Sequence, residues 1–120
     1  MSYTIYSSIL DPMGKSKLIL EKYLIVVPDK FAISVKVFEV PPDDLKHPEG
    51  VKTSFVLVDL ELDKPVFLID NHAPFGFHLH SGMPDNKDQR EELKVSTYQE
   101  AYEVFMVEVE KRVKEYKNKI

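Results

Sequence analysis

Hydrophobic positions along this chain follow a strand-like period first and a helical period later. From Lys17 the residues Leu18-Ile19-Leu20 and Tyr23-Leu24-Ile25-Val26-Val27 are rich in strand formers, and Pro28-Asp29-Lys30 reads as a turn. The next stretch places Phe31, Ile33, Val35 and Val37 on one face and Ala32, Ser34, Lys36 and Phe38 on the other, the alternation of a half-buried strand. Together these segments predict an antiparallel hairpin. The prolines and acids of Pro41-Pro42-Asp43-Asp44-Leu45-Lys46-His47-Pro48-Glu49-Gly50 cannot continue a ladder, so this segment is a loop. His47, between Lys46 and Pro48, reads as a solvated loop residue.

Strand signal returns over Val51 to Leu62. There Thr53, Phe55, Leu57, Asp59 and Glu61 alternate with Ser54, Val56, Val58, Leu60 and Leu62, and the second set is the expected core face. Asp63-Lys64 supplies a short connection, and Pro65 suits the beginning of a strand. Val66-Phe67-Leu68-Ile69 is the next strand, with Asp70 at its end. Residues 82–95 are polar and read as a loop, in which Lys87 and Arg90 are surface charges. Thr97-Tyr98-Gln99-Glu100 is a capping box that opens a helix. Tyr98, Tyr102, Phe105, Val109, Val113 and Tyr116 then recur three or four residues apart as one apolar stripe. Acids early and bases late suit the helix dipole.

These elements predict an α+β fold, an antiparallel sheet of four to five strands with a long C-terminal helix packed on one face. Residues 1–16, broken by Asp11-Pro12-Met13-Gly14, read as an N-terminal arm, and residues 17–120 as a single domain. Val104-Phe105-Met106-Val107 is apolar on every side of the helix. This predicts a second covering surface, either the arm or another chain in a homo-oligomer.

Composition narrows the chemistry. At 120 residues, 43% hydrophobic and 30% charged, the chain is long enough to bury a core without staples. The absence of cysteine removes disulfides, thiolate metal sites and cysteine nucleophiles together. A metal would have to be held by His, Asp or Glu, which admits Zn, Mn, Fe or Ni. The sequence has no signal-peptide pattern and no apolar run of membrane-spanning length, so a cytoplasmic location is the expectation. A net charge of −4 argues against a broad grip on nucleic acid, although Lys111, Arg112, Lys114, Lys117 and Lys119 make a local basic end.

The candidate chemistry is concentrated in Asp70-Asn71-His72-Ala73-Pro74-Phe75-Gly76-Phe77-His78-Leu79-His80, which holds three of the four histidines. If Phe77 to Ser81 is extended, His78 and His80 face the same way. Asp70, His72, His78 and His80 have the donor chemistry of a metal site. Without a metal, two imidazoles near neutrality can donate and accept protons in the cleavage of RNA, with Asp70 orienting a ring and Lys87, Arg90 or the helix end as the cation. The third reading makes Asp70-Asn71 a turn and the histidines exposed neighbours of the packing residues Phe75 and Phe77.

From Lys17 to the end of the helix the chain resembles the TumE family of prokaryotic toxins of toxin–antitoxin pairs. The resemblance lies in the two apolar strands, the loop with His47-Pro48, the hairpin from Ser54 to Asn71, the pair His78-Leu79-His80 and the long helix. It implies a growth-inhibiting toxin that acts on RNA, with a small DNA-binding antitoxin as partner. Asp70, Asn71, His78 and His80 are the positions that match and would carry catalysis, and His72 is an addition of this chain. Ile69 stands where the family pattern has Tyr, and Leu79 where it has Arg or Lys.

Overall fold

In a computed structural model, residues 16–74, 76–81 and 90–120 are described. The expected N-terminal arm, with Lys87 and Phe75, therefore lies outside the described residues, apart from Ser16. Six strands form one sheet in the order of the sequence: β1 (Lys17–Val27), β2 (Phe31–Glu39), β3 (Val51–Asp59), β4 (Lys64–His72), β5 (Gly76–His80) and β6 (Arg90–Glu92). Every neighbouring pair is antiparallel. Short turns, which can join only antiparallel neighbours, link β1 to β2, β3 to β4 and β4 to β5, and the longer loop 40–50 links β2 to β3. Two of those turns use an aspartate in the left-handed region, Asp29 (φ 62°) and Asp63 (φ 53°), a conformation that short polar side chains tolerate.

The α+β architecture is as expected, with one strand more than the four to five foreseen. The extra strand is β6, within the segment read as a loop. Its three residues Arg90, Glu91 and Glu92 have no apolar alternation, and they pair with His80, Leu79 and His78 respectively. Just beyond it, Leu93 donates its N–H to the Phe77 carbonyl at 3.0 Å, and Leu93 and Val95 pack against the core.

The helix, α1 (Tyr98–Lys119), begins at the foreseen capping box: Thr97 Oγ1 accepts from Glu100 N at 3.2 Å while Glu100 Oε1 accepts from Thr97 N at 3.2 Å. It lies across β3 and β4 and buries Ala101, Phe105 and Val109. The Phe105 ring packs 5.6 Å from Phe55 and 5.3 Å from Phe67, and Tyr116 meets Phe31 edge-on at 5.4 Å. The core is therefore on the face of Ile33, Val35, Phe55, Leu57, Phe67, Ile69 and Leu79.

That face corrects the expectation for β3. Phe55 and Leu57, not Ser54 and Val56, point to the helix, since they are opposite Ile69 and Phe67 in the ladder. Leu60 and Leu62 are not in the strand at all but in the β3–β4 turn, where Asp59 Oδ1 accepts from Leu62 N at 3.0 Å. The all-apolar segment of α1 also needs less cover than its sequence suggests: Val104 and Met106 pack against the core, while Val107 is exposed.

Candidate functional site

The face of the sheet away from α1 carries the histidines. Directly opposed residues of an antiparallel pair share a face, so the ladder lines up Glu21, Lys36, Ser54, Asp70, His78 and Glu92 across all six strands. One step along, Tyr23, Ser34, Val56, Leu68, His80 and Arg90 make a parallel line. Asp70 is not at the exit of a strand and Asp70-Asn71 is not a turn: β4 continues through His72, and the hairpin turns at Ala73-Pro74.

Gly76 positions the centre. Its φ of 64° is in the left-handed region that glycine adopts without strain, and this sends the chain back from the turn into β5. Its carbonyl then accepts from His78 Nδ1 at 2.7 Å. Because a carbonyl oxygen has no proton to give, that bond fixes the hydrogen on Nδ1. The other nitrogen, Nε2, lies 2.6 Å from Asp70 Oδ1, at an angle unlike that of a directional hydrogen bond. His80 Nε2 approaches the same oxygen at 3.5 Å. His72 completes the group, its ring 5.1 Å from that of His78, and its Nδ1 lies 3.2 Å from the Ala73 carbonyl.

Ligand atoms of Asp70, His72 and His78 all lie within 4.8 Å of one another. His78 is wholly buried, His80 nearly so, whereas the Asp70 side chain is 32% exposed and opens the centre to solvent. Burial pushes the His78 imidazole below its ordinary value, and the neighbouring His80 and His72 rings act in the same sense. The Gly76 carbonyl and the Asp70 carboxylate oppose that shift. A neutral His78 with its proton on Nδ1 turns a lone pair toward a carboxylate oxygen at 2.6 Å. Two lone pairs at that distance repel, so the contact calls for a positive centre between them, either a proton or a metal ion.

Of the foreseen residues, Asp70, His78 and His80 come together, and His72 joins them. Asn71 does not. It faces the core side, opposite Phe77 in the ladder, and is 2% exposed. Its Oδ1 accepts from Thr53 N and Thr53 Oγ1, both at 2.8 Å, and its Nδ2 donates to Val51 O at 2.8 Å and Glu49 Oε1 at 3.0 Å. With both amide atoms engaged, Asn71 ties the start of β3 to β4.

Of the candidate cations Lys87, Arg90 and the helix end, Arg90 is the one that the ladder of the described residues sets beside the histidines. Arg90, read as a surface charge, is half-buried and directly opposite His80. The basic helix end lies on the other side of the sheet, where Lys111 and Arg112 pair with Glu108 at 3.1 and 2.6 Å and Lys114 with Glu110 at 3.3 Å. His47 is likewise not solvated: its side chain is 11% exposed and its Nδ1 lies 3.3 Å from Asp44 Oδ2. No signal in the sequence marks Arg90, since only the β5–β6 register brings it to His80. No protein-family model, curated protein or solved structure matches the chain.

Proposed function

We propose that this chain binds a divalent transition metal ion through Asp70, His72 and His78 and uses it in hydrolysis. The observation that carries this reading is the His78 ring, with Nδ1 committed to the Gly76 carbonyl and Nε2 set 2.6 Å from Asp70 Oδ1. A metal-binding histidine characteristically gives its second nitrogen to a backbone carbonyl or carboxylate, which fixes the tautomer and orients the ring. Two imidazoles and one carboxylate are the hard-to-intermediate donors that suit Zn, Mn or Fe, and three protein ligands leave a position for water. A metal held by Asp70, His72 and His78 would supply an acidified water, and His80 stands beside those residues where it could hydrogen-bond to it.

The TumE resemblance supports a growth-inhibiting toxin acting on RNA, restrained by an antitoxin, as the setting of this chemistry. A second reading dispenses with the metal: His78 and His80 exchange protons with RNA directly. It is favoured by Arg90, whose place opposite His80 puts a cation near the rings. Elemental analysis and calorimetric titration of protein purified without a His-tag separate the two. The metal reading expects about one Zn²⁺ or Mn²⁺ per chain, and its loss with Asp70→Asn. Metal-free protein that cleaves RNA, with chelation leaving activity and melting temperature unchanged, establishes the second reading instead. Expression in growing cells tests the toxin setting: unimpaired growth, with no difference between the parent and His78→Ala, removes it.

A further inference from the structure

We infer that the metal centre takes a phosphate ester, with Lys36, two strands away on the same face of the sheet, as the cation that holds it. This inference rests on the metal reading of the same centre. Lys36 is on the polar face, in the line that runs through Ser54 to Asp70 and His78. Adjacent strands are about 4.8 Å apart, so the Lys36 and Asp70 backbones are separated by about 10 Å with one small side chain between them. Lys36 has the length to reach over Ser54 toward the ligands, and the Ser54 hydroxyl lies between them on the same face.

Lys36 stands directly opposite Glu21 in the ladder. No carboxylate lies within ion-pair distance of it among the described residues, although lysines elsewhere on the chain are paired, such as Lys30 with Asp59 at 2.9 Å. Half-burial pushes the Lys36 amine below its ordinary value, only partly countered by the Glu21 carboxylate. A partly desolvated ammonium on the same cross-strand line as a cation-binding centre suits an oxyanion, which would gain from the metal and the ammonium together. On the other flank, Arg90 is opposite His80, and its planar fork suits a second phosphate oxygen. Placing cations on both sides of a metal-bound water matches the charge that develops on a phosphoryl group under attack.

The test uses the full chain without a tag, loaded with Zn²⁺, and titrates inorganic phosphate and dimethyl phosphate by calorimetry. Lys36→Met is expected to bind both anions about tenfold more weakly, the loss of one charge-assisted contact, with Zn²⁺ affinity unchanged. Lys36→Gln, which keeps a polar end, is the second variant and is expected to show the same loss. Binding of the diester as well as inorganic phosphate points to a nucleic-acid backbone, and of phosphate alone to a monoester. Zinc-loaded protein that binds neither anion, or binds them equally with and without Lys36, overturns this inference and leaves the metal reading standing. Failure to bind Zn²⁺ removes both.

Discussion

The two faces of the β4–β5 hairpin are built from alternate residues of the same strands, yet they satisfy opposite requirements. On the helix side, Ile69, Asn71, Phe77 and Leu79 are packed or hydrogen-bonded to completion. On the other side, Asp70, His72, His78 and His80 crowd three imidazoles around one carboxylate. Packing explains the first face without remainder. The second sets two buried imidazoles and a third beside one partly exposed carboxylate, an arrangement that a proton or metal ion between them would stabilise. Arrangements of this kind are where function is expected.

The sharpest way to separate the faces is to damage each in turn. Phe105→Ala, which removes the ring between Phe55 and Phe67, should cost about 3–5 kcal/mol in urea unfolding. A loss under 1 kcal/mol would contradict the packed helix face. His78→Ala or Asp70→Asn should do the reverse: metal affinity drops about a hundredfold, or about 2.7 kcal/mol, while metal-free stability changes little. If these variants instead unfold the protein as Phe105→Ala does, the cluster is a structural element. Asn71→Ala is the decisive neighbour. It should cost about 2 kcal/mol of stability by leaving the Thr53 and Val51 groups unpaired, and leave metal affinity per folded molecule unchanged.

Smaller effects probe the margins of the packed face. Asp59 is held below the usual carboxylate range: burial raises it, but the Lys30 ammonium and the Leu62 and Glu61 amides outweigh burial. Its contribution is fully present above the unfolded value of about 3.9 and is lost as pH falls through the lower folded value. Stability curves from pH 6 down to pH 2 should therefore fall more steeply for the parent than for Asp59→Asn, by roughly 1.5 kcal/mol in total. Identical curves would show that the Lys30–Asp59 pair contributes nothing. Thr97→Ala, which removes the helix cap, should lower stability by about 1 kcal/mol and leave metal affinity untouched. A change in metal affinity with this variant would mean that the two faces are not separable.

Much of the packed face is legible in the sequence because its alternation is unambiguous. Phe31, Ile33, Val35 and Val37 have small or polar neighbours on the other phase, and the helix advertises itself through the stripe around Phe105. β3 misleads because both phases carry apolar side chains. Only the ladder, with a register shift after Leu57 and a turn that removes Leu60 and Leu62, decides between them. The centre is legible in composition but not in membership. Asp70 and Asn71 look like a unit when β4 is taken to end at Asp70. Once the strand runs on to His72, alternation sends the two apart and returns His72 to the group. The placement of Arg90 opposite His80, and of Lys36 on the line of Asp70, is not legible for a different reason: both depend on cross-strand register, which leaves no local pattern.

Because β4 and β5 serve both faces, an ion bound at the centre would be thermodynamically linked to the integrity of the core. An ion that binds only the folded chain adds RT ln(1 + [L]/Kd), about 2.7 kcal/mol at a hundred times Kd. That is comparable to the cost of losing the whole Asn71 network. The hairpin would then act as a ledger between ion supply and protein lifetime: in metal-poor surroundings the chain opens more often and is exposed to proteolysis. The abundance of the protein would report ion availability even where its chemistry is silent.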